Sequence, residues 1–243
     1  MEMHKRVPTG IPGLDKMLFG GFLEGRNILI SGPCGAGKTI FGIQFLYNGA
    51  VKYNEPGLYV TLEEAKQKIF DDCAALGFDL PTLERQNKFH IIGGPIAKIK
   101  YYMEKVDAKA RHIINEIGEV VKDKNVKRVV IDSLNLLTIL ASGSEERRRI
   151  IASLCNMLSS LGCTSLIISE TEEGSMKLSR YGMEEFVVDG VVVLYLVRQG
   201  SRFISGIAIR KMRGTDHDKE IRVYRIGKGG IVVYPNETMF GEV

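Results

Sequence analysis

The sequence predicts an α/β fold, a largely parallel central sheet flanked by helices and finished by antiparallel C-terminal strands. Three observations carry that expectation. Five short β-branched runs, at 27–31, 57–62, 89–92, 128–132 and 165–169, are mostly apolar on successive residues, as strands covered on both faces are. Helical patterns lie between them, so the connections read as crossovers between parallel strands. From residue 191 onward the pattern changes to strands parted by short turns, which is the pattern of hairpins.

Taken in order, NILIS at 27–31 is the first buried strand, and a helix over 39–50 follows the loop that ends it. GLYVTL at 57–62 is the second, with a helix over 64–76 behind it. FHII, RVVID and SLIIS supply the next three strands. The clearest helix runs over 145–161, where Ile150, Ile151, Leu154, Met157, Leu158 and Leu161 keep one apolar stripe. Gly162 is its stop. The last strands are expected at 191–197, 203–210, 221–226 and 231–234, finishing one end of the sheet. With no low-complexity linker, repeat or shift of composition, residues 1–243 are expected to form one domain.

Hydrophobic residues make up 44% of the chain and charged residues 26%, the balance of a soluble protein. A net charge of +4 permits contact with nucleic acid without arguing for it, because a binding stripe shows as clustered charge. Cys34, Cys73, Cys155 and Cys163 have no paired metal-ligand spacing and read as thiols in a reducing compartment. The N-terminus carries no apolar signal region, and no run reaches the length of a membrane span. A cytoplasmic location without membrane contact is expected.

The run Gly32, Pro33, Cys34, Gly35, Ala36, Gly37, Lys38, Thr39 fits G-x-x-x-x-G-K-[ST] at each fixed position, with a buried strand before it and a helix after. Its glycines let backbone N–H groups turn toward phosphate oxygens. The first helical turn, through Ile40, adds further N–H groups and a positive dipole end. Lys38 is expected on the β- and γ-phosphates of ATP and the Thr39 hydroxyl on Mg²⁺.

A second group for the metal is needed, and Asp132 ends a buried strand where a carboxylate either caps the next element or faces a cation. Ser133 is the alternative cap. Glu63 and Glu64 follow GLYVTL at the strand end where ligands of such sheets lie. A carboxylate there can orient and deprotonate an attacking water, with Glu63 as base and Glu64 assisting. The other reading of the pair is an acidic first helical turn. Ser169 and Glu170 end the SLIISE strand and are read either as sensors of the γ-phosphate or as polar strand-end residues.

These pieces together resemble the RecA superfamily of P-loop NTPases, and within it the single-domain relatives of the KaiC ATPase. The resemblance runs almost end to end, from TGIPGLD at 9–15 through the phosphate loop, VTLEE and VIDSL to KMRGT at 211–215. It implies a Mg-dependent ATPase and assigns the catalytic glutamate to the acid pair. It also implies that Lys211 and Arg213 contact the γ-phosphate of a neighbouring subunit, although the residues alone read as a solvated turn. A contact in trans requires assembly, and the family implies a ring, a hexamer. The stretch at 184–189, EEFVVD, lacks the adjacent Ser and Thr phosphoacceptors of the second KaiC domain, which argues against autokinase activity. The favoured reading is an ATPase ring that regulates an unidentified protein partner. The alternative is a DNA-acting, recombinase-like or helicase-like ATPase, with strand-binding loops at 141–149 and 171–182. The basic and aromatic run at 98–102 is read as the opening of an exposed helix.

Overall fold

In the computed structural model, residues 5–61, 64–93, 106–138, 141–172 and 177–239 are described. The chain opens with β1 (Arg6–Val7), α1 (Leu14–Met17) and β2 (Phe22–Leu23), and β1 and β2 pair as a small antiparallel ladder. Then follow β3 (Asn27–Gly32), α2 (Lys38–Lys52), β4 (Gly57–Thr61), α3 (Lys66–Ala75), α4 (Leu80–Arg85) and β5 (Phe89–Gly93). The middle of the chain holds α5 (Val106–Asp123), β6 (Arg128–Asp132), α6 (Leu134–Thr138), α7 (Ser144–Ser160) and β7 (Thr164–Glu170). It ends with α8 (Glu184–Val187), β8 (Gly190–Gln199), β9 (Arg202–Met212), β10 (Arg222–Gly227) and β11 (Gly230–Thr238).

Among the described residues nine strands form one sheet in the order β11-β10-β9-β8-β3-β7-β6-β4-β5. From β5 to β8 all neighbours are parallel; β8, β9, β10 and β11 are antiparallel to one another in turn. The α/β architecture with its antiparallel end is therefore as expected. The apolar runs are continuous because each strand serves two cores. Ile28 and Ile30 pack on the α2 side and Leu29 on the α7 side; Tyr59 and Val130 likewise face α2, with Leu58, Val60, Val129 and Ile131 opposite. The stripe of α7 buries Ile150, Ile151, Leu154 and Leu158. No helix among the described residues is long and apolar enough to cross a membrane.

The helix expected from 64 begins at Lys66, because Ala65 is an extended cap and the Glu64 amide instead donates to the Thr61 hydroxyl. No acid lies in the first turn of α3, so the acidic-first-turn reading of Glu64 is set aside. The C-terminal strands run longer than expected. Lys211 and Met212 still belong to β9, which corrects the reading of KMRG as a turn throughout.

Candidate functional site

The parallel strands β3, β4, β6 and β7 end on one side of the sheet, at a cavity of about 350 Å³. Six of the nine residues expected to bind phosphate line it: Cys34, Gly35, Gly37, Lys38, Thr39 and Ile40. Gly32 ends β3, and its carbonyl accepts from the Thr171 amide at 3.0 Å. The Pro33 carbonyl accepts from Lys38 Nζ at 2.8 Å, and Ala36 is buried beneath the loop. Gly37 has φ 84°, a left-handed conformation that glycine alone adopts cheaply. A Cβ there would lie 2.5 Å from Ile226 Cδ1, so the absence of a side chain keeps the loop open toward the cavity.

The start of α2 directs its first amides at the loop. Lys38 is 7% exposed, and its Nζ lies 3.9 Å from a Glu170 carboxylate oxygen across the cavity. Thr39 Oγ1 donates to Asp132 Oδ2 at 2.8 Å. Burial raises the Asp132 carboxyl above the ordinary aspartate range, while hydrogen bonds from Tyr59 and Thr39 and the Lys38 charge pull it back. A hydroxyl and a carboxylate side by side, next to a lysine and a glycine-lined cradle, form a donor set that fits a hard divalent cation with a phosphate chain.

Glu64 also lines the cavity, and its carboxylate is paired with Lys68 Nζ at 2.6 Å. Glu63 lies outside the described residues. Ser169 turns away from the cavity, donating to Glu184 at 3.3 Å, whereas Glu170 faces Lys38. Of the thiols, Cys34 is exposed at the loop and Cys73, Cys155 and Cys163 are buried.

Lys211 and Arg213 are not at this cavity. Met212 pairs with Gly190, and Gly190 pairs with Ile28 at the start of β3, whereas the phosphate loop leaves β3 at Gly32. Four residues of strand span roughly 13 Å and two strand spacings roughly 10 Å. Within one chain the two cations therefore sit at the opposite end of the sheet. Lys211 Nζ donates to the carbonyls of Glu185 and Val188 at 2.7 and 2.6 Å, and Arg213 Nη2 to that of Phe186 at 3.2 Å. Burial lowers the Lys211 ammonium, with the Arg213 charge adding to the effect.

The two candidate strand-binding loops meet each other. The Arg147 guanidinium stacks 4.6 Å from the Tyr181 ring centroid, so the aromatic of one loop is covered by a cation of the other. Glu146 accepts from the amide and hydroxyl of Ser142, which gives the acid beside the arginines a structural task. The run at 98–102 and residues 173–176 lie outside the described residues.

Three contributors lie outside the motifs that the sequence displays. The buried Tyr59 hydroxyl donates to Asp132 Oδ2 at 2.6 Å. Tyr224 donates to the Ala36 carbonyl at 2.5 Å, and Ile226 lines the cavity. An isolated tyrosine inside a buried strand is the one hint of the first; the others come from β10, distant in sequence.

Comparison with known proteins agrees with this geometry. The family model described as "ATPase: KaiC" matches residues 7–238. A UPF0273 protein of Thermotoga maritima is 39% identical over 241 residues, covering 97% of this chain and 98% of the relative. The circadian clock oscillator protein KaiC of Synechococcus elongatus is 36% identical over 231 residues, which is 95% of this chain and 44% of that protein. The crystal structure of a KaiC-like protein from Pyrococcus horikoshii superposes with a TM-score of 0.85 at 36% identity, over 96% of this chain and 100% of the other.

Proposed function

The chain belongs to the KaiC ATPase family, and from that premise we propose that it binds ATP with Mg²⁺ and hydrolyses it to ADP and phosphate within a ring of identical subunits. The observation that carries the reading is the 2.8 Å contact of Thr39 Oγ1 with Asp132 Oδ2 beside Lys38. Thr39 and Asp132 hold the cation, and the loop amides and Lys38 hold the phosphates. A divalent ion there offsets the charge that builds on the transferring phosphoryl group.

Glu63 acts as the general base, assisted by Glu64, which lines the cavity. The engagement of Glu64 by Lys68 suits an assisting role. Lys211 and Arg213 serve the site of the next subunit, where cations set against the phosphoryl oxygens accelerate transfer. Their position at the far end of their own sheet supports that role, since a head-to-tail contact brings the far end of one subunit against the near end of another. Hydrolysis in such a ring alters the subunit interfaces, and its output is regulation of a protein partner in the cytoplasm. Strand binding is not favoured, because Tyr181 is already stacked by Arg147.

ATP hydrolysis should require Mg²⁺ and stop with a chelator. The double variant Glu63→Gln, Glu64→Gln should bind ATP normally and lose turnover by roughly 10² to 10⁴. Undiminished hydrolysis would remove the base assignment. Mixing Lys38→Ala with Arg213→Ala subunits should restore activity, because each supplies what the other lacks; no recovery in proven mixed assemblies would refute the action in trans.

A further inference from the structure

Glu184, the first residue of α8, carries a fully buried carboxylate. Such a group is costly without donors around it, and four surround this one. Oε1 accepts from the Ser169 hydroxyl at 3.3 Å and the Tyr181 amide at 3.2 Å. Oε2 accepts from the Met183 amide at 3.1 Å and lies 2.7 Å from the Ser179 hydroxyl, whose one proton it shares with the Glu185 carboxylate. The donors belong to the end of β7 and to the turn leading into α8, so one side chain ties the two together. A helix of four residues does not hold its shape unaided.

On the far side of that short helix stand the two cations. The carbonyls of Glu185, Phe186 and Val188 receive every hydrogen bond described above for the Lys211 and Arg213 side chains, and the Arg213 amide donates to the Asp189 carbonyl at 2.9 Å. On the near side, Ser169 adjoins Glu170, which faces Lys38, and Thr171 binds the Gly32 carbonyl. A polar path, buried at Ser169 and Glu184, therefore runs from the phosphate loop through the end of β7 to the cations at the other end of the sheet.

We infer that Glu184 is a positioning residue for Lys211 and Arg213: it anchors the segment whose carbonyls hold both cations, and thereby sets where they meet a neighbouring subunit. This rests on the action in trans proposed above. It also makes each subunit's nucleotide loop continuous with the cations that it lends.

Glu184→Gln tests it, because either orientation of the amide sets its nitrogen against a backbone N–H, of Tyr181 or of Met183. Turnover should fall on the order of 10²-fold, the effect of an ångström-scale misplacement, with KM for Mg-ATP little changed. The deciding readout is a mixture of Glu184→Gln with Lys38→Ala subunits, beside a control mixture of Arg213→Ala with Lys38→Ala. Recovery in both supports the inference, since the intact phosphate loop then meets cations from a sound neighbour. Recovery in the control alone overturns the inference and leaves the action in trans standing. Failure of both mixtures, with mixed assemblies proven by co-purification, overturns the two together. Should Glu184→Gln fail to fold, Ser169→Ala removes one donor and keeps the carboxylate; it should show a smaller loss with the same pattern of recovery, and unchanged turnover would overturn the inference.

Discussion

Tyr59 and Thr39 donate to the same oxygen, Asp132 Oδ2, at 2.6 and 2.8 Å. Burial holds the Tyr59 hydroxyl well above its usual range, with the Asp132 charge adding to the effect, so it remains a donor. Its bond favours the ionised carboxylate, whereas burial opposes it. Tyr59→Phe should therefore raise the Asp132 carboxyl further and move the acid limb of the ATPase profile to higher pH. The profile of kcat/KM against pH for the two proteins checks this; an unmoved limb would detach Tyr59 from the titration of Asp132.

Asp132→Asn separates stability from activity. The folded-state value of the Asp132 carboxyl is raised, mainly by burial. Its contribution to stability is thus fully present below the ordinary aspartate value and is lost as pH rises through the folded one. An asparagine oxygen can keep both hydrogen bonds without the buried charge. The ligand-free variant should melt above the parent at neutral pH, with the gain vanishing on acidification, while Mg-dependent hydrolysis is lost. Calorimetric scans at several pH values decide it, and a lower Tm at neutral pH would count against the buried-charge argument.

Tyr224 reaches back from β10 to the Ala36 carbonyl at 2.5 Å, and both groups are buried. Tyr224→Phe should cost about 1 kcal/mol of stability, the ordinary worth of such a bond. A loosened phosphate loop should also raise KM for ATP with kcat held. Thermal denaturation and steady-state kinetics together test the pair of effects, and a changed kcat at constant KM would place the tyrosine in the chemistry.

What could be read beforehand was whatever is local. The parallel strands declared themselves because residues such as Ile28, Leu29 and Ile30 alternate between two buried faces, so the whole run is apolar. The phosphate loop and Asp132 are contiguous patterns at strand ends. Tyr59, Tyr224 and Ile226 were not legible, because sheet register or a return of the chain from β10 brings them to the cavity. Elements of two to four residues, β1, α1, β2 and α8, are too short to show a period. Without the family resemblance, KMRG reads as solvated turn, since the carbonyls that hold Lys211 and Arg213 lie some 25 residues earlier.

Arg128 is fully buried at the start of β6 and donates from Nε to Glu55 at 2.6 Å and from Nη1 to the Phe45 carbonyl at 3.1 Å. Its guanidinium stacks on Phe45 and Tyr53 at 4.5 and 5.2 Å. Gly49 makes the room, since a Cβ there would lie 2.4 Å from Arg128 Cδ. Burial lowers the Arg128 value and the Glu55 charge opposes that shift, yet an arginine remains charged at neutral pH. Glu55→Gln therefore strands a buried cation without its counter-charge and should cost about 3 kcal/mol, read as a lower urea midpoint with an unchanged slope. A loss under about 1 kcal/mol would mean that solvent reaching the 24% exposed Glu55 side chain already screens the pair. Because Arg128 begins the strand that Asp132 ends, the same variant also tests how rigid β6 is. Hydrolysis measured well below the new midpoint should match the parent, for a strand paired on both sides keeps its register when one end is weakened.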